Sequence, residues 1–268
     1  MDKRIPFGSS EIAYQDVGKG HPVIFLHGFA ENGNVWKNQV NFLADKFRLI
    51  IPDIPGSGKS SYNKSLKTID DFAELVKALA DAEQIKPFTL IGHSMGGYIA
   101  LSFAEKYPDW LDGLGLIHST AFPDTEEKKD SRRKSIAFIR EHGSDEFIGL
   151  STPNLFSDKF RESHPEIVDA FLKTLAGFSA KALIDYYEAM MIRPNRTHVL
   201  KQAQVPILFI AGEKDMTVPL QDSLQQCWLA NRTQVHILKS SAHMGMLEEI
   251  PESNKAILDF LQQNAEQA

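Results

Sequence analysis

The stretch Gly92-His93-Ser94-Met95-Gly96 sets a serine between two glycines, with the apolar run Phe88-Thr89-Leu90-Ile91 before it and the helical pattern Tyr98-Ile99-Ala100-Leu101-Ser102-Phe103-Ala104 after it. A buried strand that turns at once into a helix lifts the residue at the turn into the open, and crowding there calls for glycine on either side. Ser94 is therefore the candidate nucleophile. A serine hydroxyl attacks poorly unless a base, an acid that orients the base, and donors for a developing oxyanion are also supplied. Each has a candidate here. His243, in the loop Ser240-Ser241-Ala242-His243-Met244-Gly245-Met246 behind the strand Gln234–Leu238, is the candidate base. Asp215 follows the apolar run Val205-Pro206-Ile207-Leu208-Phe209-Ile210-Ala211-Gly212 and is the candidate orienting acid. His27-Gly28-Phe29 follows the run Pro22–Leu26, and a tight turn there would aim the Phe29 N–H at the spot reached by the Met95 N–H. Those two backbone groups are the candidate oxyanion hole.

Such residues can converge only if the apolar runs are neighbouring strands whose carboxyl ends share one edge. The chain supports this, because strand-like and helix-like patterns alternate along it. Residues 10–17 read as an antiparallel edge strand, 34–43 as a helix, 47–53 as a strand, 69–82 as a helix opened by Thr68 with Asp70 and Asp71 in its first turn, and 111–117 as a strand. From 123 to 196 no buried-strand run occurs and apolar residues recur at helical spacing. This stretch is expected to be a helical cap inserted into a core made of 1–122 and 197–268. Phe178, Tyr187, Met190 and Met191 are its candidate substrate-binding residues, because they exceed what a helix pair needs for its own packing. His27 and His236 are read as structural histidines.

Of the chain's 268 residues, 43% are hydrophobic and 24% charged, with a net charge of -6 and one cysteine, Cys227. That excludes an internal disulfide framework and gives no electrostatic reason to expect nucleic acid or an anionic membrane as partner. The partner expected is a small-molecule substrate. No apolar run is long enough to span a bilayer and the first ten residues lack a signal-peptide pattern, so the expectation is a cytoplasmic protein. Gly56-Ser57-Gly58-Lys59-Ser60 copies the end of a phosphate-binding loop, but Asp53 stands where that loop needs its first glycine. Nucleotide binding is not expected.

With Ser94, Asp215 and His243 in that order, each behind an apolar run, and with His27-Gly28-Phe29, the sequence resembles the alpha/beta-hydrolase family over essentially its whole length. The Gly92-His93-Ser94-Met95-Gly96-Gly97 and Gly212-Glu213-Lys214-Asp215 segments look like those of the cap-bearing serine esterases, enol-lactonases, C–C bond hydrolases and cofactor-free haloperoxidases. The resemblance implies an α/β fold with a mostly parallel eight-stranded sheet flanked by helices, the cap inserted after strand six, and no metal or organic cofactor. The activity expected is hydrolysis of an ester, lactone or thioester of a small to medium apolar acyl group. Two alternatives stand beside it: C–C cleavage of a diketone by the same residues, and, from a different class, a receptor-like member that binds a small ligand and turns over little.

Overall fold

A computed structural model describes residues 2–265. Its strands are β1 (Asp2–Phe7), β2 (Ser10–Val17), β3 (Pro22–Leu26), β4 (Arg48–Pro52), β5 (Phe88–His93), β6 (Leu111–Ile117), β7 (Ile207–Gly212) and β8 (Thr233–Leu238). They form one sheet in the order β1-β2-β4-β3-β5-β6-β7-β8. β1 and β2 run antiparallel to their neighbours, and from β4 to β8 every pairing is parallel. The continuous apolar runs explain the parallel part, since β5 and β7 are buried along their whole length and β3 in all but its first residue. β8 ends the sheet and alternates instead, leaving Val235 and Ile237 exposed.

Residues 10–17 were expected at the edge and lie one strand in. Asp2–Phe7 forms a hairpin with them, turning at Gly8 with φ 60° and pairing Ile5 with Ile12, both buried. A charged N-terminal segment with a single inward isoleucine hides this strand from a search for apolar runs.

Helices flank the sheet. Ile69–Ala82 opens with a capping box in which the Thr68 hydroxyl accepts from the Asp71 N–H while the Asp71 carboxylate accepts from the Thr68 N–H. It packs on Met95–Lys106, the helix that leaves the serine, which in turn lies against β3, β5 and β6. Ile250–Ala265 packs on Lys37–Leu43 and on β6, β7 and β8.

Between β6 and β7 the chain is helical: Glu126–His142, Ser144–Ser151, Asp158–Ser163, Pro165–Lys173, Ala180–Met191 and Thr197–Gln202. This insertion reaches the loops behind β3 and β4. The Phe29 ring stacks on Tyr187 at 4.1 Å, the Tyr186 hydroxyl donates to the Pro55 carbonyl at 2.8 Å, and Asp185 accepts from the Tyr62 hydroxyl and from Lys67 Nζ. The Gly56–Ser60 segment is a turn folded around Asp53, whose carboxylate accepts from the Gly33 N–H at 2.8 Å and the Lys59 N–H at 2.7 Å.

Two glycines of different surroundings test this packing. A Cβ at Gly92 would sit 2.3 Å from the backbone of Gly96, whereas one at Gly149, inside a helix, would meet nothing within 4 Å. Gly92→Ala should cost at least about 3 kcal/mol, because the atoms met are backbone that cannot swing aside, and Gly149→Ala should be neutral or stabilising by up to about 1 kcal/mol. Urea unfolding of the two variants beside the wild type measures both.

Candidate active site

The turn from β5 into Met95–Lys106 is sharp and closely packed. Ser94 has φ 49° and ψ -116°, a conformation that L residues avoid, and it is held by its N–H on the Ile117 carbonyl and its carbonyl on the Ser119 hydroxyl. A Cβ at Gly96 would lie 2.6 Å from the carbonyl oxygens of both Leu26 and His27. The elbow is thereby pressed against the end of β3. Phe29 and Met95 follow these two segments, and among the described residues neither of their N–H groups has a hydrogen-bond partner.

Asp215 lies just beyond β7 and uses both carboxylate oxygens. Oδ1 accepts from the Thr217 and Val218 N–H groups at 2.8 and 2.9 Å, and Oδ2 accepts from His243 Nδ1 at 2.8 Å and His118 Nδ1 at 3.1 Å. Burial pushes the Asp215 carboxyl up, but the two imidazoles outweigh it and hold the group well below the usual carboxylate range. Asp215 thus stays ionised. The His118 ring is fully buried, and burial pushes it down to about 4 in spite of Asp215. A neutral His118 with Nδ1–H fits its other contact, since Nε2 accepts from the Gly245 N–H at 3.2 Å. The candidate ligand atoms of His118, Asp215 and His243 lie within 4.8 Å of one another, a spacing that these hydrogen bonds account for.

His243 is positioned through its backbone as well as its ring. Its N–H donates to the Leu155 carbonyl of the helical insertion at 2.9 Å, and its carbonyl accepts from His93 Nε2 at 2.9 Å. His93 has its other nitrogen 3.0 Å from Glu31, whose carboxylate also accepts from the Gly28 N–H at 2.7 Å. Burial alone would push Glu31 up and His93 down. The pair reverses both shifts, so the glutamate lies below its ordinary value and the histidine above it. This is a buried carboxylate–imidazolium pair beside His243. The loop carrying His243 is tied further by Glu248, which accepts from the Ala242 and Met244 N–H groups and, on its other oxygen, from the Ser157 N–H.

Ser94 and His243 border one cavity of about 600 Å³ together with Phe29, Tyr98, Arg132, Tyr187 and Met190. Among the described residues the Ser94 hydroxyl makes no hydrogen bond, a common condition in unliganded sites, where such bonds tighten as substrate arrives. Of the four expected substrate-binding residues, Tyr187 and Met190 line this cavity and Phe178 and Met191 do not. The two methionines differ in burial, since Met190 is buried and Met191, the last residue of Ala180–Met191, is half-buried at the helix end. Phe178 precedes that helix and packs edge-on against Tyr186.

Glu31, His118 and Glu248 escaped the sequence reading. His93 and His118 carry a partial signal, being polar residues at the ends of apolar strands, where burial demands a partner. His27 is structural, as read: Nδ1 donates to the Gly28 carbonyl and Nε2 accepts from the Ile54 N–H, with the Ser57 hydroxyl 2.8 Å away. Asp124, another acid behind a strand on this edge, pairs with Arg132 and Arg193 rather than with a histidine.

Comparison with known proteins agrees with this architecture. A thermophilic esterase from Thermogutta terrifontis, solved with malate bound, superposes with a TM-score of 0.92 over 98% of this chain and 99% of its own, at 28% identity. The 3-oxoadipate enol-lactonase 2 of Acinetobacter baylyi is 28% identical over 88% of this chain and 86% of its own length. The 2-hydroxy-6-oxo-6-phenylhexa-2,4-dienoate hydrolase of Comamonas testosteroni is 25% identical over 94% and 91% respectively. The profile of the alpha/beta hydrolase fold matches residues 21–250, and the chain belongs to that family.

Proposed function

We propose that the protein is a serine hydrolase that cleaves a carboxylic ester, lactone or thioester of a small to medium acyl group through an acyl-enzyme. The observation that carries this reading is the ionised Asp215 carboxylate 2.8 Å from His243 Nδ1, with the strained Ser94 across the same cavity. His243 Nε2 takes the Ser94 proton as Oγ attacks the acyl carbon, and the Phe29 and Met95 N–H groups hold the oxyanion. Collapse breaks the bond from the acyl carbon to the leaving oxygen, or to sulfur in a thioester, and that atom receives the proton from His243. Water then attacks the acyl-serine, giving its proton to His243, and Ser94 leaves as the hydroxyl. Asp215 fixes Nδ1–H and thereby directs Nε2 toward the serine. The family's esterase and enol-lactonase relatives favour this reading. The Comamonas relative, a dienoate hydrolase, favours a second one, in which the same residues cleave a C–C bond.

With 4-nitrophenyl butyrate, the wild type should give a burst followed by steady turnover, and Ser94→Ala should lose both while keeping its Tm. Asp215→Asn should lower kcat by roughly 10⁴-fold, because the amide favours the wrong tautomer of His243. Turnover by Ser94→Ala at the wild-type rate overturns the mechanism. Turnover of a diketone far above that of every ester would favour the second reading.

The acyl-length profile reads the cavity wall. Each methylene that fits adds about 0.8 kcal/mol of binding, so kcat/KM for 4-nitrophenyl esters should rise from acetate, pass a maximum and fall before palmitate. Tyr187→Ala or Met190→Ala should move that maximum to longer chains. A profile still rising at palmitate, and unmoved by either substitution, would remove these residues from the site.

Glu31→Gln leaves His93 buried without its counter-charge and should cost about 3 kcal/mol or more. Glu31 has its folded value depressed, so its contribution is complete above its unfolded value of 4.5 and is lost as pH falls through the folded one. His93 has its folded value raised, so its contribution is complete below its unfolded value of 6.5 and is lost as pH rises through the folded one. The stability gap between wild type and variant should therefore be widest between pH 4.5 and 6.5. Urea midpoints across pH 4 to 9 measure it.

A further inference from the structure

The insertion carries a cationic surplus into the cavity above Ser94. Asp124, with no exposed side-chain surface, faces two guanidiniums: Arg132 Nε at 2.6 Å on Oδ2 and Arg193 Nη1 at 2.8 Å on Oδ1. One carboxylate therefore answers two buried cations. Arg193 is turned into the protein, lying 3.9 Å over the Tyr98 ring and donating from its two terminal nitrogens to the Met190 and Phe122 carbonyls, with Nε buried and unpaired, and it does not line the cavity. Arg132 does. It lines the cavity with Ser94 and His243 and meets Asp124 through Nε and Nη2, and among the described residues its Nη1 has no hydrogen-bond partner. The end-on pair of N–H groups of its fork is left for a ligand. Tyr187 touches both ends of the path, with its ring 5.3 Å from Arg132 Cζ and stacked on Phe29. A second cation, Lys128, stands on the same wall and donates to the Thr217 carbonyl at 2.7 Å rather than to an acid. Of the acids lining the cavity, Glu31 pairs with His93, Glu127 is exposed, and Asp222 is half-buried, with the charge of Lys128 acting against the upward push of burial on its carboxyl.

From this arrangement we infer that the substrate carries a carboxylate at the end of its acyl part remote from the scissile carbonyl, received by Arg132 with Lys128 at the mouth. The substrate class is a monoester or lactone of a dicarboxylic acid. The inference rests on the serine-hydrolase reading and narrows it. A planar carboxylate matches the free edge of the guanidinium and neutralises the surplus charge, whereas a purely apolar acyl end would bury Arg132 without an acceptor.

The test compares two esters of equal acyl length, mono-4-nitrophenyl glutarate and 4-nitrophenyl pentanoate, in wild type, Arg132→Gln, Arg132→Lys and Ser94→Ala. The wild type should prefer the glutarate ester in kcat/KM by about tenfold or more, the scale of one charge-assisted hydrogen bond. Arg132→Gln should bring that ratio to about one or below, and Arg132→Lys should keep part of it. Ser94-dependent hydrolysis with no preference in the wild type, or a preference unchanged in Arg132→Gln, overturns the carboxylate site and leaves the hydrolase standing. No turnover of either ester overturns both. Should the Arg132 variants fail to fold, inhibition of the wild type decides: glutarate should compete with the pentanoate ester about tenfold more tightly than pentanoate does, and equal inhibition overturns the proposal.

Discussion

The buried Glu31 carboxylate holds together the three segments that the proposed chemistry needs. It receives the Gly28 N–H from the turn after β3 and sits against His93, which belongs to the elbow and donates onward to the His243 carbonyl. Two charges taken from water are unfavourable until every donor and acceptor is matched, and here the matches come from three different loops. Their relative placement is thereby tied to one polar cluster. An apolar packing of the same volume could be as stable, yet it would tolerate sliding of one loop over another. Hydrogen bonds of 2.7 to 3.0 Å do not.

Asp215 applies the same device on the other side of His243. Four donors fill its two oxygens, two of them backbone N–H groups that fix the carboxylate before the imidazole arrives. His118 is the unexpected member. Buried neutral, it donates one nitrogen to Asp215 and accepts the Gly245 N–H on the other, so it spans the acid and the far end of the histidine loop. Because it shares Oδ2 with His243, it narrows the positions that this oxygen can take.

What could be read from the chain and what could not divide along a physical line. β3, β5, β6 and β7 were legible because strands covered on both faces must be continuously apolar, and the residues behind them follow at once: Phe29, Ser94, Asp215. The helical insertion was legible from its period. Glu31 and Glu248 were not, because a carboxylate's role lies in partners far along the chain, 62 residues away for His93 and 91 for Ser157. The cavity wall was half legible for a related reason. Composition marks Ala180–Met191 as rich in large apolar side chains, but which of them face Ser94 depends on how the helix is rotated, and Phe29, stacked on Tyr187, sets that rotation from outside the insertion.

The insertion meets the rest of the protein through mixed contacts, and their polarity bears on selectivity. Its Leu155 carbonyl takes the His243 N–H, its Ser157 N–H goes to Glu248, and Asp185 and Tyr186 bind the loops behind β4. A lid resting on apolar side chains alone could shift to admit larger acyl groups at little cost, since dispersion contacts are non-directional. One anchored by directional hydrogen bonds to several separate loops has far less freedom to move. Displacing it far enough to change the cavity would also pull on the His243 backbone through Leu155. The same bond that positions His243, the base of the proposed mechanism, therefore makes it sensitive to what fills the cavity. Under the proposed mechanism, a substrate that seats under Tyr187 without displacing the insertion would leave His243 in place, whereas an oversized one would draw it off the line to Ser94 and lose rate as well as affinity.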